Sequence, residues 1–212
     1  MTRARVIVEG HGEVEAVGNL LTRVCLDLEL PLHWSTPMRW KNLLRQPGVV
    51  QAANHLRNRG DCDALLILRD EDDGCPRKLG PEVAQWLREL ELPFPAAVVL
   101  LHPEYEVLFL PCVEGMAGRM LGRGTSLREG LRAGTRWTGA SWQAHRGVKE
   151  WLSQNYAGGH RYKPTTDQLE LTRMIDLPTL RAANVPCYGT LERALVFLAE
   201  KAGRSGGVYP PG

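Results

Sequence analysis

The chain has 212 residues, of which 43% are hydrophobic and 24% charged, with a formal net charge of +2. That size suits one compact domain with a sizeable core, and so small a net charge excludes an argument for a polyanionic partner from charge alone. No apolar run approaches a membrane span, no leader precedes the first strand, and the five cysteines form no C-x-x-C pair, so a soluble, cytoplasmic protein without disulfides or structural zinc is expected.

Arg3–Val8 reads as a strand and Glu9-Gly10-His11-Gly12 as a turn, followed by a helix over Glu13–Leu28 with Val17, Leu20, Leu21, Val24 and Leu28 at helical spacing. A short extended piece near Pro31–Trp34 and a loop with Pro37 and Pro47 lead to a helix over Val49–Arg59, ended by Gly60. Ala64–Arg69 is a continuous apolar run, the pattern of a strand buried on both faces, and it runs into Asp70-Glu71-Asp72-Asp73-Gly74. Pro81–Leu90 reads as an amphipathic helix, Ala96–Leu101 as another buried strand and Pro103–Leu110 as a short helix or helical turn. From Gly115 to Pro164 the chain is glycine-rich, weakly periodic and holds three of the six tryptophans. Helices over Asp167–Ile175, Pro178–Ala183 and Thr190–Lys201 close the domain, and the Gly/Pro-rich tail from Gly203 reads as mobile.

This alternation predicts an α/β fold, a mostly parallel central sheet with helices on both faces and ligands at the carboxyl ends of its strands. The division expected is an α/β core over 1–114, a basic insertion or cap over 115–165, closing helices over 166–202 and a flexible tail over 203–212.

Acidic residues fall at those strand ends. Glu9 follows the first strand, just before Gly10 and Gly12, which let backbone approach a phosphate or metal, and Asp70 and Asp72 alternate at the end of a later one, so extended geometry points both to one side. Three crowded carboxylates are costly unless a proton or cation relieves them, and hard oxygen donors suit Mg²⁺ or Mn²⁺ rather than zinc. Glu13 and Asp73 are candidates for further ligands, although a Glu in a first helical turn and an Asp before glycine also have purely local uses.

Val8-Glu9-Gly10-His11-Gly12-Glu13, followed by a hydrophobic strand ending in Asp70-Glu71-Asp72, resembles the TOPRIM domain of topoisomerases, primases and nucleases of the overcoming-lysogenization-defect type. More narrowly, the chain is similar over nearly its whole length to the TOPRIM-like family known as domain of unknown function 4276. Glu104-Tyr105-Glu106-Val107-Leu108 matches its Glu-aromatic-Glu block, Tyr162-Lys163-Pro164 its late Lys-Pro, and Met174–Leu191 its closing helical region. The histidine usual directly before that block is replaced by Pro103, with His102 one position earlier, so no catalytic role is carried over to it. The resemblance implies Glu9, Asp70 and Asp72 as catalytic metal ligands, Glu13 as a second-site ligand and Lys163 as a phosphate or transition-state contact, with Glu106 and its neighbour Glu104 as an additional site.

Between Gly115 and Thr165 basic residues outnumber acidic ones, and Arg128, Arg132, Arg136, Arg146, Lys149 and Arg161 are the candidates for contact with nucleic acid. Trp137, Trp142 and Trp151 suit either base stacking or a small core, with the core favoured. The resemblance implies a Mg²⁺-dependent nuclease cutting phosphodiester bonds, DNA ahead of RNA, as the effector of an antiphage module with a partner ATPase; no membrane is expected, and self-association as a homodimer is compatible. Two alternatives stay open, a non-catalytic subunit that binds nucleic acid or the ATPase, and an RNA- or tRNA-processing nuclease.

Overall fold

The computed structural model describes residues 2–122, 124–139, 146–204 and 206–211. Its first half runs β1 (Thr2–Val8), α1 (Glu13–Asp27), β2 (Leu32–Trp34), β3 (Met38–Arg39), α2 (Gln46–Arg59), β4 (Ala64–Asp70), α3 (Pro76–Arg88) and β5 (Ala96–Leu101). Two 3-10 turns (Tyr105–Leu108 and Leu110–Cys112) then lead to α4 (Val113–Met116), β6 (Met120–Leu121), β7 (Arg128–Glu129) and α5 (Val148–Asn155). α6 (Pro164–Arg173), α7 (Leu177–Ala182), α8 (Pro186–Lys201) and β8 (Val208–Tyr209) complete the chain.

The main sheet has the order β2-β1-β4-β5-β8, with β3 also on β1, and all its pairings are parallel. The chain leaves β1 towards β2 and β3 on one side and returns to β4 on the other. The order therefore reverses between β1 and β4, and the crevice beyond their carboxyl ends is where such sheets bind ligands.

Alternation along the strands sorts side chains onto two faces. Ala4, Val6, Val8, Leu66, Leu68, Val99 and Leu101 pack with the buried stripe of α1 and with α6 and α8, whereas Ile7, Leu65, Ile67, Val98 and Leu100 pack with α2 and α3. Helices thus cover both faces, as the uninterrupted apolar runs of β4 and β5 require. Each fully buried leucine among these contributes about 1.5–3 kcal/mol of burial free energy.

Two expectations need correction. The tail is not free, since Val208 and Tyr209 pair with Ala96 and Ala97 as an edge strand. Nor does residue range 115–165 sit apart as a cap, because Leu131, Val148, Leu152, Tyr156 and Tyr162 belong to the same core as β1 and β4. Trp137 and Trp151 meet edge-on at 5.3 Å against that core, in keeping with the packing role, while Trp142 lies outside the described residues. The helix expected from Pro81 starts earlier, at Pro76, whose missing N–H costs nothing in a first turn. Among the described residues no helix is long and apolar enough to cross a membrane.

Candidate functional site

Asp70 ends β4 and continues the alternation of Leu66 and Leu68, so its carboxylate is directed to the α1 face of the sheet. Its Oδ1 accepts the Tyr105 N–H at 2.8 Å. Tyr105 is flanked by Glu104 and Glu106, which the 3-10 turn after β5 buries to 7% and 0% exposure. Glu106 Oε1 accepts the Tyr162 hydroxyl at 2.7 Å and Gln168 Nε2 at 3.4 Å, and its Oε2 is buried without a hydrogen bond. Glu13, in the first turn of α1, is buried too, and its Oε2 accepts the N–H groups of Glu9 at 3.1 Å and Gly10 at 3.0 Å.

Among the described residues one cation stands in the midst of these groups. Lys149 Nζ, from the first turn of α5, lies 2.8 Å from Glu104 Oε2, 3.5 Å from Glu106 Oε2 and 3.8 Å from Asp70 Oδ2. Burial, then the charges of Glu13 and Glu106, hold the Asp70 carboxyl well above the usual carboxylate range, against the pull of Lys149. Burial likewise pushes Glu106 up to about 7, with Lys149 opposing. Glu13 is raised by burial and in lesser part by the charge of Glu9, while the backbone N–H groups of Gly10 and Glu9 work the other way. Burial lowers Lys149, but the surrounding carboxylates, Glu106 foremost, outweigh it and the net shift is upward.

Other candidates lie elsewhere. Asp72 is exposed, with no hydrogen bond or ion pair among the described residues. The extended geometry expected of Asp70-x-Asp72 stops at Glu71, whose carboxylate turns back to the buried Arg69 at 2.8 Å and to the Gly74 N–H at 2.9 Å. Asp73 is also exposed and meets Arg146 at 2.5 Å. Glu9 is half-buried and lines a cleft of about 430 Å³ with Lys41 and Arg45. Lys163 is exposed and has no ion pair among the described residues; it caps α6, its N–H donating to Asp167 Oδ2 at 2.7 Å. Gly12 leaves room for helix packing rather than for a ligand, since a Cβ there would stand 2.6 Å from the Pro164 carbonyl oxygen.

The basic candidates are scattered over the described residues. Arg128 is tied to Asp167, Arg132 donates to the Gln154 carbonyl at 2.7 Å, and Lys149 belongs to the acidic cluster, while Arg136 and Arg161 are exposed. Lys149, Tyr162 and Gln168 are the functional candidates whose place the sequence hid. One signal existed for Lys149: it is three residues from the buried Leu152, on a helix face that turns inward.

The donor set fits a hard divalent cation, being entirely carboxylate, partly buried and displaced towards the protonated state by its own crowding. Among the described residues no three His, Cys, Asp or Glu groups are already set around one point, and in this arrangement Lys149 supplies the counter-charge. No curated protein matches the sequence significantly. A family model described as a domain of unknown function, DUF4276, matches residues 8–195, a span that takes in the sheet switch point and all the acidic cluster, and the chain belongs to that family.

Proposed function

We propose that this chain is a TOPRIM-like nuclease that uses Mg²⁺ or Mn²⁺ to cut phosphodiester bonds. The observation that carries the reading is the convergence of Asp70, Glu13, Glu104 and Glu106, from three separate elements, at the point where the sheet order reverses. Asp70, Glu13 and Glu106 would hold the metal, with Glu9, whose charge acts on Glu13, and Asp72 of the loop after β4 as the further ligands that the resemblance implies. An ion held there would supply an activated water and counter-charge for the phosphoryl oxygens. The chain's own residues keep the carboxylates together: Tyr105 N–H orients Asp70, Tyr162 and Gln168 orient Glu106, and backbone N–H groups orient Glu13. Lys149 holds a positive charge where a phosphate would approach. The TOPRIM resemblance adds an ATPase as partner and antiphage defence as setting.

A second reading is favoured by the same ammonium. Lys149 already satisfies the cluster, which suits a non-catalytic subunit in which the carboxylates only anchor α5. Incubation of the purified chain, with and without its ATPase, with end-labelled DNA and RNA in Mg²⁺ or Mn²⁺ separates the two. Metal-dependent cleavage that disappears in Asp70→Asn supports the nuclease, and cleavage of RNA alone makes it an RNA-processing enzyme. No cleavage of either polymer under any condition leaves the non-catalytic subunit.

A further inference from the structure

A cleft of about 910 Å³ opens at the outer edge of β5, where β8 stops pairing. β8 covers only Ala96 and Ala97, so Val98 and Leu100 floor the cleft, and the N-terminal turns of α3 and α8 form its walls. Arg77, Arg146, Arg181 and Arg193 line it against two carboxylates, Asp73 and Glu192. Arg181 is committed, at 2.6 Å to Glu192 and 2.7 Å to Asp27. The pair of Arg146 with Asp73 is open to water on both sides, with side-chain exposures of 68% and 82%, and is easily exchanged for another anion.

Arg77 has no acidic partner among the described residues, and Arg193 bonds only the Tyr209 hydroxyl at 3.2 Å and Thr190 Oγ1 at 3.1 Å. Two guanidiniums without counter-charge over an apolar floor form a site for phosphate groups.

The cleft reaches towards the acidic centre through Cys187, a buried residue of its α8 wall on which the charge of Asp70 acts. His102 lines it just before Glu104, Asp73 just after Asp70, and Arg146 just before Lys149. His102 Nδ1 lies 2.6 Å from the Glu71 carbonyl, which can only accept, so Nδ1 carries the proton and Nε2 is left for a ligand. The volume lies near the upper end of the roughly 300–1,000 Å³ that holds small molecules. That suffices for a few nucleotides of one strand.

We propose that this cleft is the track for single-stranded nucleic acid, with Arg77 and Arg193 on its phosphates and the Tyr209 ring offered to a base, and that it leads one phosphodiester towards Asp70 and Glu106. Delivery to that centre rests on the nuclease reading; binding in the cleft does not.

The test is fluorescence anisotropy of short labelled DNA and RNA oligonucleotides, single-stranded and duplex, with the full chain in EDTA, where no cleavage intervenes. The double variant Arg77→Glu/Arg193→Glu is expected to weaken single-strand binding about tenfold or more and to reduce the salt dependence, each lost phosphate contact being worth about 0.7 in the log–log slope. Arg119→Glu/Arg204→Glu, which reverses two charges outside the cleft, is expected to bind like the unmodified chain. Equal binding by the cleft variant, equal loss in the control variant, preference for duplex, or binding of poly-glutamate in place of any oligonucleotide would each overturn the proposal. Cleft-dependent binding without cleavage in any metal removes the nuclease reading alone, and cleavage with an unchanged KM in the cleft variant removes the track alone.

Discussion

Lys149 and Glu104 are joined twice: the Lys149 backbone N–H donates to Glu104 Oε1 at 3.1 Å while its Nζ lies 2.8 Å from Oε2. The first bond satisfies a free N–H at the start of α5, and the second places an ammonium among three carboxylates. One side chain on the 3-10 turn after β5 therefore fixes both where α5 begins and where its charge goes.

Lys149→Met keeps the backbone bond and removes the ammonium. The metal-free chain should lose about 1–2 kcal/mol, less than the roughly 3–5 kcal/mol for a fully buried pair because the Lys149 side chain is 37% exposed. The vacated position should tighten Mn²⁺ binding by about tenfold, or about 1.4 kcal/mol. Urea denaturation measures the first and isothermal titration the second. Weaker metal binding in Lys149→Met would show that the ammonium organises the carboxylates rather than competing for them.

Metal-free stability should fall as pH rises from about 4.5 to about 7, the interval between the ordinary Glu106 value and its value in the fold. Over that range the folded chain holds a proton that the unfolded chain has released, so unfolding becomes easier with each step up in pH. Asp70 and Glu13 are displaced in the same direction and add to the slope, and Lys149, raised from an already high value, stays charged throughout. The Glu106 contribution is on the order of 1–3 kcal/mol, and Glu106→Gln should remove it. Denaturation midpoints across this interval provide the check, and stability that climbs with pH would contradict the crowding.

The strands were legible because β4 and β5 are unbroken apolar runs, and a strand buried on both faces has no other pattern to show. The acidic cluster lies at the carboxyl end of β4, where Asp70 continues the alternation of Leu68. Asp72 was misplaced because alternation was extended past Glu71, where the Arg69–Glu71 pair bends the chain out of the strand. β8 was invisible as a two-residue strand between Gly207 and Pro210, held only by its pairing with β5. Lys149 stood in a run of other basic residues, and locally only its spacing from Leu152 sets it apart from Arg146; its three carboxylate partners lie 43 to 79 residues earlier in the chain.

Asp70→Asn and Asp72→Asn should separate accordingly. Asp70→Asn keeps the acceptor for the Tyr105 N–H and relieves repulsion from Glu13 and Glu106, so the metal-free chain should be as stable or about 1 kcal/mol more stable. Asp72→Asn should change stability by less than about 0.5 kcal/mol, because its carboxylate is exposed and has no hydrogen bond or ion pair among the described residues. In a cleavage assay the Asp70 variant should lose at least about 100-fold, or about 2.7 kcal/mol of barrier, and the Asp72 variant less. The reverse order would mean that the loop after β4 closes on the centre during the reaction.

Two glycines in the turn after β1 should respond differently to the same added methyl group. A Cβ at Gly12 would stand 2.4 Å from Gln168 Oε1, 2.6 Å from the Pro164 carbonyl oxygen and 2.7 Å from its carbon. Backbone cannot rotate away, so Gly12→Ala must push α1 off α6 and should cost about 1–3 kcal/mol. The same shift would disturb Gln168, which bonds Glu106, so Mn²⁺ affinity should drop along with stability. At Gly10 the new atom would meet only the Glu13 side chain, at 3.2 Å, and that carboxylate can turn by a few tenths of an ångström. Gly10→Ala should therefore cost under about 1 kcal/mol, within the range of ordinary surface changes. Equal destabilisation by the two substitutions would mean that α1 and α6 are not as closely seated as the 2.6 Å approach requires.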